Sequence, residues 1–458
     1  MKFTPVDVLY YVEHLSRELE TACLVKYYLE SRHGLSVRIA SLPYEGHAVL
    51  ARVCPRVVCL PSCRLRSNIP VTYWWDNVCI VNLAWEQILS NTNKRANAPL
   101  DDYTRTQIEY LSWGSAFREF LSGCGVPAAK ITVTGNPNYA LLAERYDFLV
   151  RDRTTLADTY GLDPYKGWVF IPENYGWAFL SDAQIEIRVR AGAYTAEHAL
   201  AYRQFQQRTL QALVHWLGAA ACVPEIQFIL RPRPATPPQR LRDCFVGGVP
   251  ANVAILKDGT AREWLLASDL VVSNYSTVLV DAAVAGKPVG LIQAEAFPDF
   301  LHADFLDHIP ALGSVDAFLE VCRRPASIRT LNGSLRDYAL KNFHAPGDPF
   351  IRTADWLAAL RNHCRKAPRY LYGRGWYRCD RSWRRWLPFG LRLAVSRARH
   401  GTPLPTFQDD AGRPFIAQTH SGDRLAPDAL AELESKIKHH LRAQRSPTGG
   451  AAEHSVSA

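Results

Sequence analysis

Residues 269–289 read DLVVSNYSTVLVDAAVAGKPV. An apolar run ends in Ser273-Asn274-Tyr275-Ser276-Thr277, a helical pattern follows at once, and Gly286-Lys287-Pro288 stops it. The first amides of a helix have no partners within it and lie at the positive end of its dipole, so a junction of this kind takes phosphate well. The polar groups of Ser273, Asn274, Ser276 and Thr277 add donors for phosphate oxygens. Asp281, about one turn deeper, is placed to accept from the vicinal hydroxyls of a ribose, as acids in dinucleotide folds do. A serine N-cap followed by a hydrogen-bonded aspartate would leave the same letters. A second strand end, in QFILRPRP (227–234), brings Arg231 and Arg233. A guanidinium offers phosphate a permanent charge and a bidentate fork, but no proton transfer at neutral pH. A solvated basic loop is the alternative.

These groups need elements to hold them. VDVLYYV (6–12) reads as a strand, and residues 16–32 as an amphipathic helix ending near Gly34. SVRIAS (36–41), RVVCL (56–60), NVCIVNL (77–83) and ITVTGNP (131–137) are further strands, with helical patterns among them. Alternation at this spacing predicts a parallel sheet with helices on both faces. Residues 145–166 are polar and turn-rich, and the pattern then restarts. GWVFIPEN (167–174), QFILRPRP (227–234), NVAIL (252–256), DLVVS (269–273) and PVGLI (288–292) are strands, with a long helix over 195–219 and helices over 316–323 and 349–363. The expected fold is α/β, with two Rossmann-like domains facing a cleft. Residues 1–150 form the first and 165–345 the second, followed by helices and a basic aromatic extension over 346–445 and a disordered tail at 446–458. The helix over 349–363 is expected to return to the first domain.

The stretch AREWLLASDLVVSNYSTVLVDAAVAGKPVGLI resembles the nucleotide-binding segment of GT-B-fold glycosyltransferases, including CDP-glycerol glycerophosphotransferases and capsule Kdo transferases. WGSAFREFLSGCGVPAAKITVTGNPNY (113–139), NLAWEQIL (82–89) and IPENYGWAFLSD (171–182) look like bacterial surface-carbohydrate biosynthesis proteins. The resemblance covers roughly residues 1–345. It implies a nucleotide-activated sugar as substrate rather than a cofactor, and a glycan or lipid-linked acceptor. The implied activity is metal-independent glycosyl transfer to a surface polysaccharide, such as capsule or lipopolysaccharide. A polyol-phosphate transferase on the same fold and an inactive nucleotide-binding scaffold are the alternatives. Many relatives have His-Pro where this chain has Arg233-Pro234 or Arg231-Pro232, so anion binding is retained here and proton transfer is not. The Gly-rich, acid-rich loop of nucleotide-sugar 2-epimerases is missing, as are GxGxxG and Walker lysine loops. Inverting transfer needs a base for the acceptor hydroxyl and a cationic site for the leaving phosphate. Glu86 in NLAWEQ, Asp76 in TYWWDN and Glu173 in IPENYGW are the candidate bases, each of which has an ordinary surface or capping role as its alternative. Trp74, Trp75, Trp85 and Trp177 suit stacking on a sugar or base, with core packing as the default for tryptophan.

The 458 residues are 48% hydrophobic and 21% charged, the make-up of a folded multi-domain protein. Eleven cysteines sit mostly in apolar runs, and the spacing of Cys54, Cys59, Cys63 and Cys79 fits no zinc or iron–sulfur pattern. No metal site is expected; Asp101-Asp102 has the wrong spacing for one. Neither a transmembrane run nor a signal peptide is read, which predicts a cytoplasmic protein. The net charge of +9 is concentrated: residues 361–400 hold twelve Lys or Arg and one acid, leaving 41 basic against 43 acidic residues elsewhere. Within that segment Arg374, Trp376, Arg381, Trp383, Arg384, Arg385 and Trp386 are expected to contact an anionic inner-membrane surface. A structural extension and a nucleic-acid site are the other readings. The near-neutral body gives no reason to expect a nucleic-acid partner.

Overall fold

The first strand, β1 (Thr4–Val12), ends in five consecutive buried residues, the pattern of a strand covered on both faces. Helix α1 (Leu15–His33) follows and stops at Gly34, whose φ of +64° only glycine adopts freely. This computed structural model describes residues 3–46, 48–190, 194–329, 333–364, 366–371, 420 and 422–444. The first sheet adds β2 (Val37–Ser41), β3 (Val53–Leu60), β4 (Cys79–Asn82), β5 (Glu109–Ser112) and β6 (Ile131–Val133). Its order is β2-β1-β3-β4-β5-β6, all parallel. The second sheet has β7 (Gly167–Pro172), β8 (Ile226–Arg231), β9 (Val253–Ile255), β10 (Leu270–Ser273), β11 (Val289–Ile292) and β12 (Ala311–Leu312), in the order β9-β8-β7-β10-β11-β12, again all parallel. The two Rossmann-like sheets face one another across a cleft, as the alternating pattern predicts.

The second domain contributes helices α2 (Asp182–Arg190), α3 (Ala196–Ala219), α4 (Ala261–Ala267) and α5 (Val278–Val284). Helix α6 (Pro349–His363) crosses back and packs on α1, as expected. Its start is fixed by Asp348, which accepts from the amide of Phe350 at 2.7 Å and from the Tyr146 hydroxyl at 2.9 Å, with Pro349 at the first helical position. Helix α7 (Pro427–Ala443) also lies on α1, where Lys26 pairs with Glu434 at 2.7 Å.

Strands β5 and β12 were not expected. EYLS and AL are too short to show a period of two. Asp101 is an N-cap: it accepts from the Thr104 amide at 2.7 Å and opens the helix Asp102–Gln107. Cys59 and Cys63 are buried, and burial pushes both thiols up, which suits packing rather than reactivity. The head of the basic segment turns inward. Arg361 pairs with Asp7 at 2.6 Å, and Arg369 pairs with Asp76 at 2.7 Å. The proposed membrane residues Arg374, Trp376, Arg381, Trp383, Arg384, Arg385 and Trp386 lie outside the described residues.

Candidate functional site

In the second sheet the strand order reverses between β7 and β10, so their following loops diverge and leave a crevice at their carboxyl ends. The sequence places its phosphate-binding letters here. The Ser273 hydroxyl donates to the Pro172 carbonyl at 2.5 Å, bracing the two strands. Asn274 is buried beside it. The Tyr275 hydroxyl donates to the Asn174 carbonyl at 3.1 Å and lies 3.2 Å from that of Tyr202. Ser276 is half-buried, its Oγ facing the Val278 amide at 3.4 Å, and Thr277 is exposed at the start of α5. Ser273 and Asn274 are therefore framework, while Ser276 and Thr277 remain partly or fully exposed at the start of α5.

Glu173 follows β7 directly and is buried. Its carboxylate accepts from the amides of Arg233 at 2.9 Å and Tyr175 at 3.0 Å, and its own amide donates to the Arg231 carbonyl at 2.9 Å. Burial raises its pKa even against these bonds. Both oxygens hold backbone, so Glu173 shapes the loop after β8 and is not presented to a substrate. Arg231 is also buried: its Nη2 donates to the Gly259 carbonyl at 2.7 Å, and burial lowers its pKa to about 10 against the pull of Glu263 and Asp258. Arg233 is exposed. Its side chain runs across Gly176, where an added Cβ would come within 2.9 Å of Nη1. Arg188, on α2, lies over the Trp177 ring with its guanidinium carbon 5.2 Å from the centroid. Burial lowers the Arg188 pKa, and the like charge of Arg233 lowers it further. Among the described residues neither arginine makes an ion pair. Two neighbouring guanidiniums with no carboxylate in ion-pair contact, beside a sheet's switch point, suit an anion.

Asp281 is half-buried on α5 and has no hydrogen bond or ion pair among the described residues. Burial pushes its pKa up to about 7, and it lies in the field felt by Tyr139 of the first domain. It therefore sits at the seam between domains, on the helix that the sequence assigns to the donor.

The facing lip is the carboxyl end of β1 and the start of α1. Here Glu18 is buried and accepts from the Glu13 amide at 2.7 Å and from Arg17. Arg17 Nη1 lies 3.8 Å from the exposed carboxylate of Glu86. Tyr194 of the second domain feels Arg188, Arg64 and Glu86 together, which puts Glu86 in the cleft opposite the arginines. Asp76 is not there. It precedes β4, at the amino end of the sheet, in a two-residue antiparallel pairing with Arg369 and Tyr370. Of the aromatic candidates, Trp177 is buried in a small cluster of the second domain, stacked on Tyr202 and covered by Arg188, whereas Trp74, Trp75 and Trp85 pack in the first domain's core. Bridges cross the cleft on two sides. Arg262 pairs with Glu20 at 3.1 Å, and Asn91 and Thr92 donate to the carbonyls of His302 at 2.9 Å and Phe300 at 2.6 Å. A groove of about 910 Å³ in the second domain is lined by Phe179, Leu210, Val214 and Phe245 and by none of the candidate site residues.

Sequence reasoning missed Arg188, which reads as one of several charges on a polar helix. It also missed His14. Its signal was present in YYVEHLS, a buried strand meeting a helix start at a histidine. The His14 ring does not cap α1. Asp423 does so instead: Oδ1 accepts from the Leu15 amide at 2.9 Å, and Oδ2 lies 2.9 Å from Nδ1 of both His14 and His420. Glu13, His14 and His420 also form a group with metal-ligand chemistry.

The molecule has the two-domain GT-B architecture. Solved structures of the wall teichoic acid polymerase TagF share it. One form, soaked with CDPG, superposes with a TM-score of 0.51 at 11% identity, over 79% of this chain and 90% of that one. Another gives 0.50 at 9% identity over the same shares. A putative UDP-N-acetylglucosamine 2-epimerase from Listeria monocytogenes gives 0.46 at 12% identity over 79% of this chain and 97% of its own, too loose to bear on chemistry. No protein-family model matches the sequence, and no curated protein matches it.

Proposed function

We propose that this chain is a transferase that takes its group from a nucleotide-activated donor and passes it to a hydroxyl of a bacterial surface polysaccharide. The observation that carries this is the unpaired Arg188–Arg233 couple at the switch point of the second sheet. It is suited to the diphosphate of a donor and to the charge that appears on the leaving phosphate. Ser276 and Thr277 add hydroxyls, and Asp281 lies on the helix that would meet the ribose. The acceptor enters from the first domain, where Glu86 and His14 are the groups that could take its proton. A polyol phosphate is the better supported transferred group. Structures of a teichoic acid polymerase superpose at a TM-score of 0.50 or more, and no Gly-rich sugar loop follows β1. A sugar remains the second reading.

No helix among the described residues is long and apolar enough to cross a membrane. Contact with an anionic membrane surface is assigned to residues 374–386, on charge and aromatic content alone. The test is a thermal-shift screen with CMP, CDP, UDP and GDP, because a ligand that prefers the native state raises its apparent stability. A rise with at least one nucleoside diphosphate that disappears in Arg188→Ala/Arg233→Ala supports the reading. No shift with any of them refutes it.

A further inference from the structure

The C-terminal segment reaches the acceptor side of the cleft by a route that no local pattern announces. Residues 420–423 lie beside the start of α1. Ser41 Oγ donates to the Asp423 carbonyl at 2.8 Å, and the Tyr44 hydroxyl donates to the His420 carbonyl at 2.7 Å. Asp423 is only 5% exposed and His420 8%. Burial works against the Asp423 charge, but hydrogen bonds from His14, His420 and the Leu15 amide hold its pKa well below the usual carboxylate range. An ionised carboxylate only accepts, so Nδ1 of His14 carries the proton. Nε2 then carries the ring's lone pair; it has no hydrogen-bond partner among the described residues, and 19% of the side chain is exposed. Glu13, His420 and Asp423 lie against this ring; the next charged groups are Arg17, paired with Glu18 and near Glu86, and Lys257 of the second domain. Lys257 feels Asp423 on one side and Arg231, Asp258 and Glu173 on the other, so the dyad faces the donor domain. His420 stacks on His14 with ring centroids 4.8 Å apart and 19° between planes, which further restricts the ring.

We infer that the C-terminal segment is part of the active site: Asp423 is a positioning residue that fixes the tautomer and direction of His14, and His14 Nε2 takes the proton of the acceptor hydroxyl. This rests on the transferase reading above. The step balances. The acceptor oxygen forms its new bond to the donor phosphorus (or anomeric carbon) while the bond from that atom to the leaving phosphate oxygen breaks. The hydroxyl proton moves to Nε2, and the new negative charge stays on the nucleotide between Arg188 and Arg233. Glu86, exposed and 3.8 Å from Arg17, has no comparable support to orient it.

The test uses the full chain and its variants Asp423→Asn, Asp423→Glu and Tyr44→Phe. Turnover is read as transfer of label from CDP-glycerol and from UDP-N-acetylglucosamine to a bacterial membrane fraction. Donor binding is read with CDP, and the His14 tautomer by ¹⁵N NMR of histidine-labelled protein. The expected result is a fall in kcat of roughly 100-fold or more in Asp423→Asn, the scale of losing a general base. The CDP dissociation constant should stay within about twofold, since the carboxylate touches no donor group. Asp423→Glu should recover part of kcat, and Tyr44→Phe, which loosens the segment without touching the dyad, should keep most of it. The Nδ1–H signal of His14 should be present in the native protein and lost in Asp423→Asn. Native kcat in Asp423→Asn overturns the inference. So does an equal loss in Tyr44→Phe with the tautomer unchanged, because the segment is then only a brace. Loss of activity in EDTA restored by zinc also overturns it, making Glu13, His14 and His420 a metal centre. If the native protein transfers no label but His14 is held as the Nδ1–H tautomer, the transferase reading fails and the dyad stands.

Discussion

Removing Arg233 separates its two relationships, one with a ligand and one with Arg188. In the free protein its guanidinium makes no ion pair; its charge favours the ionised Glu173 carboxylate and adds to the positive field that lowers the Arg188 pKa. Arg233→Ala therefore breaks no ion pair and gives up only a field effect on the Glu173 carboxylate. It relieves a repulsion that solvent already screens, so the unfolding free energy should stay within about 0.5 kcal/mol of native. With a nucleoside diphosphate bound, the same change deletes a charge-assisted bond to phosphate, worth about 1.5–3 kcal/mol. That is a rise of roughly 10- to 150-fold in dissociation constant. Arg233→Lys keeps the charge but not the fork and should fall between. Native affinity should weaken between 0.1 and 1 M salt, as the Debye length drops from about 10 to about 3 Å, and the variant should weaken less. Calorimetric titration with CDP, UDP and GDP, beside urea unfolding of the same preparations, gives both numbers. A folded Arg233→Ala protein with native affinity for each would refute the reasoning, since the loop would then be a solvated turn.

Gly176→Ala puts a methyl where Arg233 Nη1 now lies, so it should reproduce part of the Arg233→Ala affinity loss with little change in stability; equal affinity would show that the guanidinium simply moves aside. Arg262→Ala strands Glu20 as a largely buried, unpaired charge between the domains and should cost about 3 kcal/mol in urea unfolding at pH 7, against a change under 0.5 kcal/mol if the pair is solvated. For Asp281 the folded pKa of about 7 lies above the ordinary aspartate value of 3.8 because the group is buried. The folded state thus binds the proton more tightly, and this contribution is full below pH 3.8 and lost as pH rises to about 7. Asp281→Asn should remove that loss, roughly 4 kcal/mol at most, so its unfolding free energy should exceed native at pH 8 and converge with it only below about pH 4. Vesicles of phosphatidylglycerol should co-sediment with the full chain at 0.1 M salt and less at 1 M; equal binding to neutral vesicles would remove the membrane role of residues 374–386.

Much of the second domain was legible because its signals are local. SNYST ends a strand and opens a helix, and RPRP ends the neighbouring strand. What these residues do once folded was less legible. Ser273, Asn274 and Glu173 were read as site groups and are held by backbone partners. Burial and partner choice depend on strands β7, β8 and β10 coming together, which no single segment encodes. Asp76 and Glu86 look alike in sequence. They part because Asp76 precedes β4 and Glu86 follows it, so the strand carries them to opposite ends of the sheet. Arg188 emerges only because α2 lies beside the loop after β7. Asp423 meets Leu15 across 408 residues, a distance over which neither periodicity nor capping rules operate. The basic segment was counted as one charged unit, yet Arg361 and Arg369 are paired with Asp7 and Asp76.

The most direct test of the account is donor turnover by the purified full-length chain. It would be incubated with radiolabelled CDP-glycerol, and in parallel with UDP-, CMP- and GDP-linked sugars, together with a bacterial membrane fraction. The account predicts label in the membrane-bound glycan from at least one donor, matched one for one by released nucleotide and abolished in Arg188→Ala/Arg233→Ala. A folded protein that releases no nucleotide and transfers no label from any of these donors would contradict it.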